Sequence, residues 1–288
     1  MHRGLVKCIL WITVLAVSTA VFAQTQSGPA AAGAKAKPVP RTPDGKPDLS
    51  GTWDGAGQTS GGEFASHHSS QGTMELTKWG LDKFTWNRSP EAANTAGVYR
   101  GQHARVDQDP AYHCYPLGLV RLGPPSHVIT GGPPGGLVEI LHTPGRVRLL
   151  FEYHHEVRQI FTDGREHPEN LELTWNGHSI GAWEGDTLVV DTIGLRDESW
   201  LDSGGHEHSN QLRVVERFRR VDANTLEIER TLTDPVALAK PFTTRIVMRL
   251  KSDGDLDENG GYDCSQFMVR KPAFGEGEGG LLGIADHP

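Results

Sequence analysis

The chain reads as an all-β domain, an antiparallel barrel or, as the alternative, a sandwich. From residue 137 onward, strand-like runs follow one another at short spacing with no helical period between them. Pro144-Gly145, Asp163-Gly164, Glu184-Gly185-Asp186 and Asp222-Ala223-Asn224 punctuate these runs as turns. Within them apolar residues alternate with polar ones, the period of a strand with one buried face. About 220 ordered residues fit one domain of this kind, and no mid-chain linker divides it.

The elements follow in order. Residues 1–23 have the form of a secretory signal peptide: Arg3 and Lys7 precede the apolar stretch 8–22, and Val21-Phe22-Ala23 offers a small-residue cleavage site. No later run has the length of a membrane span. Residues 24–40, rich in Ala, Gly, Pro and Lys, read as a flexible mature N-terminus. The domain proper is expected over 41–271, with a loose Gly- and Glu-rich tail at 272–288.

Turn chemistry at Pro43-Asp44-Gly45 leads into a first strand ending at Trp53. Met74, Leu76, Trp79, Leu81 and Phe84 predict a short helix near 76–86. Residues 88–136 form a Pro- and Gly-rich meander. Strands are expected at 137–142, 146–155, 157–161, 179–183, 187–193, 212–219, 226–233 and 243–250.

Composition narrows the compartment and the partners. The full chain carries 28 basic and 36 acidic residues. Loss of Arg3 and Lys7 leaves 26 against 36, which disfavours nucleic acid as a partner. Export points to the periplasm or the medium. There Cys114 and Cys264 are candidates for a disulfide.

Chemistry concentrates between residues 151 and 216, where His154, His155, His167, His178, His206 and His208 lie among carboxylates. Strand alternation puts Tyr153 and His155 on the apolar, inward parity of 147–157. Arg158 then points outward unless the chain bends after His155. The same rule places Glu216 and Arg230 inside, on consecutive strands, where they are expected to pair because buried charges are costly alone. Asp191 has no preferred side.

A pocket follows from this placement. Tyr153, His155, Glu216 and Arg230 line it, Arg158 is a further candidate, and Trp200, His206 and His208 sit at the mouth. A small, partly apolar molecule is the expected ligand. The same groups would serve an enzyme. His155, oriented by Glu216 or Asp191, would act as general base, and Tyr153 would donate to an oxyanion. His206-Glu207-His208, with His155 as a third ligand, would also suit a divalent metal such as zinc or iron, although the spacing is unspecific. The Gly-X-Ser-X-Gly elbow, Ser-X-X-Lys and the phosphate-binding Gly-X-X-X-X-Gly-Lys-Ser/Thr are absent from the sequence. A structural envelope-associated role is the third alternative.

Two resemblances add to this reading. Gly51-Thr52-Trp53 resembles the Gly-X-Trp opening of lipocalins and other calycins. That likeness implies a barrel closed at one end by Trp53, packed by a basic side chain from a late strand, Arg245 or Arg249. The stretch from Arg41 to Trp53, Cys114-Tyr115-Pro116-Leu117-Gly118 and Gly181-Ala182-Trp183-Glu184-Gly185-Asp186 are similar to a large group of exported, uncharacterised bacterial proteins. This second likeness implies export and a β-rich fold but no reaction. Glu207 stands where that group commonly has Pro, which is expected to loosen the loop.

Overall fold

The computed structural model describes residues 38–55, 68–69, 72–89, 109–110, 115–122, 137–152, 155–202, 204–251 and 256. The signal-like segment, most of 24–40, Tyr153, His154, Cys114, Cys264 and the tail lie outside the described residues. All described residues belong to one compact unit, Ala36–Pro288.

Along the chain run β1 (Gly51–Asp54), β2 (His68–Ser69), β3 (Gly72–Thr73), α1 (Lys78–Asn87), β4 (Val138–Thr143), β5 (Arg146–Phe151), β6 (Val157–Phe161) and β7 (His178–Glu184). They continue as β8 (Thr187–Ile193), β9 (Arg213–Asp222), β10 (Thr225–Thr233) and β11 (Phe242–Leu250). Nine strands close into a barrel in the order β1-β11-β10-β9-β8-β7-β6-β5-β4, and β2 pairs with β3 alone. The predicted barrel is therefore the fold, with one departure from an all-antiparallel wall. β6 and β7 run parallel, joined by only two registered pairs, Ile160↔Ser179 and Phe161↔Ile180. Residues 162–177 cross between them, because parallel neighbours cannot be linked by a tight hairpin.

The expected strand at 146–155 ends at Phe151. Phe151 N–H donates to Glu156 O at 2.9 Å, closing a turn in which His155 has a φ of 51°. A strand cannot run through that left-handed residue, so the inward parity does not extend to His155.

Inward residues fill the barrel. Val138, Ile140, Val147, Leu149, Ile160, Leu188, Val190, Phe218, Leu226 and Met248 form its core. Trp53 closes one end, fully buried, with its indole N–H donating to Leu49 O at 3.0 Å. The cation over its ring is Arg220 of β9, 4.9 Å from the centroid, rather than Arg245 or Arg249. Arg220 lies on the inward parity of β9, and its guanidinium donates to Asp48 O at 2.5 Å. Arg245 instead pairs with Glu227, its cross-strand neighbour diagonal on β10, and Arg249 with the Thr225 hydroxyl.

A second apolar cluster, including Leu119, Leu201, Leu212, Val214, Leu232, Leu238 and Phe242, covers the other end. α1 packs there. Thr77 caps it by accepting from Gly80 N–H at 3.1 Å. Phe84 stacks on His206 at 4.3 Å, and Asn87 donates to Gly205 O and Glu207 Oε1. Glu207, expected to loosen its loop, instead ties it to α1, and Lys83 adds an ion pair at 3.1 Å.

Gly80 measures how close that helix sits. A Cβ there would stand 2.3 Å from Ala237 O. In an open helix Gly→Ala gains roughly 1 kcal/mol. Here the contact reverses the sign, and Gly80→Ala is expected to lose about 1–3 kcal/mol in urea unfolding. A variant as stable as the parent would mean that α1 does not dock against 237.

Candidate functional site

Alternation on β9 and β10 turns Glu216 and Arg230 inward, as expected, and sets them directly opposite each other in register. Arg230 Nε donates to Glu216 Oε1 at 2.9 Å and Arg230 Nη1 to Val120 O at 2.9 Å. Arg158 joins them from β6. It is 2% exposed, and its Nη2 lies 2.5 Å from Glu216 Oε2. The strand phase differs between β5 and β6, so Arg158 points inward. Its remaining donors reach Ser179 Oγ at 3.3 Å and Thr192 Oγ1 at 3.1 Å. Desolvation alone would raise the Glu216 carboxyl, but the two guanidiniums together outweigh it and hold it below the usual carboxylate range.

This ion triple fills much of the barrel. The cavity beside it measures about 20 Å³ and is walled by Leu122, Ile140, Phe151, Phe218 and Met248. That is space for about one water molecule. Among the described residues the interior thus offers no room for the ligand expected there.

The other proposed residues do not converge on this cavity. His155 is exposed in the β5–β6 turn. Asp191 takes the outward parity of β8, since Leu188, Val190 and Thr192 are the buried set, and Arg213 clasps it with two bonds of 2.7 Å. Trp200 is 5% exposed and bridges to Glu207 instead of lining an open mouth.

His206 and His208 are both buried and face different partners. His206 Nδ1 meets Asp202 Oδ2 at 2.7 Å. His208 Nε2 meets Ser199 Oγ at 3.0 Å and its Nδ1 meets Ser209 O at 2.9 Å, so both of its nitrogens are engaged. The carbonyl fixes the proton on Nδ1. With His155 on another turn, the three proposed metal ligands do not share a site. Among the described residues no group of three or more His, Cys, Asp or Glu side chains is arranged to hold a metal ion.

Open space lies elsewhere, where the barrel wall parts. Because β6–β7 pairing begins only at Ile160↔Ser179, residues 156–159 and 174–178 splay and leave a notch of about 380 Å³. Glu156, Val157, Gln159, Trp175, Asn176 and His178 line it, and Arg158 and Ser179 belong to its lining as well as to the barrel interior. Gly177 makes the turn at its edge. It has a φ of 64°, and a Cβ would meet Ile193 O at 2.6 Å.

Electrostatics differ around the rim. Burial pushes the Glu156 carboxyl above the usual carboxylate range, opposed by a 2.6 Å hydrogen bond from Asn176 Nδ2. His178 sits 2.8 Å from His167, Nδ1 to Nδ1, and stacks on Phe161. Desolvation, then the neighbouring His167 and Arg165, lower its pKa. One Nδ1 of the pair must accept, so the two rings cannot both be cations without breaking this bond.

Sequence reasoning missed Glu156, Trp175 and Asn176 and set His178 aside as a turn residue. The available signal was the length of 162–177, too long for a hairpin and free of helical period. Comparison with protein-family models, curated proteins and solved structures found no match for this chain.

Two outcomes test this geometry. Glu216→Gln leaves two buried guanidiniums without their anion and is expected to cost about 3–5 kcal/mol in denaturant unfolding. A loss under about 1 kcal/mol would show the triple to be solvated. His208 has a lowered pKa, chiefly through desolvation. The unfolded chain therefore binds the extra proton first, near pH 6.5. Its contribution to stability is complete above about pH 6.5 and is lost as the pH falls through the folded value. The slope of Tm against pH between 5 and 7 should flatten in His208→Gln; an unchanged slope removes His208 as its source.

Proposed function

We propose that this is an exported barrel protein that binds a small, partly apolar molecule in the notch between β6 and β7. The observation that carries the reading is the contrast in space. The notch offers about 380 Å³, within the range of small-molecule sites, whereas the barrel interior offers about 20 Å³. Its walls mix an indole and aliphatic surface with a few polar groups, the composition of a ligand pocket.

The wall is also held in place before any ligand arrives. Tyr115 packs edge-on against Trp175 at 5.6 Å, and Arg196 covers its ring at 5.3 Å. Leu119 N–H donates to Trp175 O at 3.2 Å. A preorganised wall lowers the ordering cost of binding. Export is supported by the signal-like pattern of residues 1–23 and suits a binding protein of the periplasm or the medium.

The experiment is a fragment screen read by amide chemical shifts on the purified full chain. Hits are expected to perturb Val157, Trp175, Gly177 and His178, and Trp175→Ala is expected to weaken them about tenfold, the loss of one aromatic anchor. Hits that perturb only the β9 and β10 interior, or that bind Trp175→Ala as well as the parent, would overturn the notch as the site.

A further inference from the structure

We infer that the ligand of the notch presents a cationic amine to Glu156, an inference that rests on the notch being the binding site. Glu156 is placed by the β5–β6 turn: its carbonyl accepts from Phe151 N–H, and Leu150 pairs with Val157 beside it. Its side chain is half-buried in the notch lining. Among the described residues its carboxylate accepts one hydrogen bond, from the neutral amide of Asn176 Nδ2, and no cation pairs with it.

Asp234, more deeply buried, is compensated by four neutral donors, the Ser209, Val236 and Ala237 N–H groups and the Ser209 hydroxyl, where Glu156 has one; four other shielded carboxylates are matched by cations. Asp109 has Arg121 at 2.8 Å, Asp191 has Arg213 at 2.7 Å, Glu207 has Lys83 at 3.1 Å, and Glu216 has two arginines. A partly desolvated anion without a counter-ion is costly, which is why burial raises the Glu156 carboxyl. A ligand ammonium would remove that cost.

The cations near the notch are engaged elsewhere: Arg196, over the Trp175 ring, donates to Leu173 O and pairs with Glu198. Arg158 is committed to Glu216, Ser179 and Thr192. Arg146 and Arg165 lie over Phe161, five residues further along, about 16 Å from Glu156 at strand rise, and Arg165 is also bound to Asp163. His178 favours its neutral form, since desolvation, His167 and Arg165 all lower its pKa. The chain's net charge of −8 adds a long-range preference for cations over anions. Trp175 supplies the flat apolar wall for the rest of the molecule.

Three matched probes test the class: 2-phenylethylamine, 2-phenylethanol and phenylacetate, titrated into the full chain, its Glu156→Gln variant and Trp175→Ala. The amine is expected to bind at least about tenfold more tightly than the alcohol, and phenylacetate more weakly than either. Glu156→Gln keeps the shape and the Asn176 contact. It should bring the amine down to the level of the alcohol without changing the alcohol itself. If amine and alcohol bind equally, and Trp175→Ala weakens both, the notch stands and the amine inference is overturned. If an amine preference persists in Glu156→Gln, Glu156 is not the counter-ion and the inference is likewise overturned. If no probe shifts notch resonances at millimolar concentration, both readings fall.

Discussion

The buried triple of Arg158, Glu216 and Arg230 constrains the rest of this barrel. Three strands, β6, β9 and β10, each place one charged side chain in an interior otherwise lined by aliphatic and aromatic groups. None of the three is tolerable there alone, because desolvation of a single ion costs several kcal/mol. The triple is satisfied only when β6 stands across the barrel from the β9–β10 pair. It thus penalises misplacement of β6, a strand whose far edge has only two registered backbone pairs. Ser179 and Thr192 carry the same network into β7 and β8. The wall is therefore held partly from within by polar contacts where the ladder is short.

That arrangement has a functional corollary. Among the described residues, a barrel packed with an ion triple and large aliphatic side chains offers only about 20 Å³ beside the triple, so the proposed site lies in the wall. The parallel seam is the natural weak point. Two pairs of registered residues close it at one end, and the chain diverges at the other. Arg158 stands at the junction, its guanidinium committed inside while the residue lines the notch. A guest in the notch would be sensed by a side chain that also helps to hold the barrel together.

Much of the fold was legible in the sequence. The alternation of 147–151, 212–218 and 226–232 predicted which residues face the core, including two charged ones, Glu216 and Arg230, whereas that of 188–192 left Asp191 without a side. Where the period broke, the reading failed. His155 was extrapolated along a strand that ends four residues earlier, and the parity of Val157 and Arg158 on β6 was reversed with it. Arg220 was overlooked as the partner of Trp53 although it continues the inward parity of Val214, Glu216 and Phe218; its contact with the ring depends on β9 ending beside 48–50. His206 and His208 look like a ligand pair in sequence, yet each ring is turned to a neighbour in its own loop, Asp202 for one and Ser199 with Ser209 for the other.

By itself, the sequence determined the class of fold, the strands and most of their inward faces. Those properties follow from the period of apolar residues, which is local and additive along the chain. Only the tertiary structure decided the parallel pairing of β6 with β7, and hence the notch. Which strand lies beside which depends on how a crossover of 162–177 packs, and no period within either strand encodes it. The pairing of Glu216 with Arg158 as well as Arg230, and the absence of a cation beside Glu156 among the described residues, belong to that second level. Both depend on distances between segments remote in sequence, where electrostatic and desolvation energies are set.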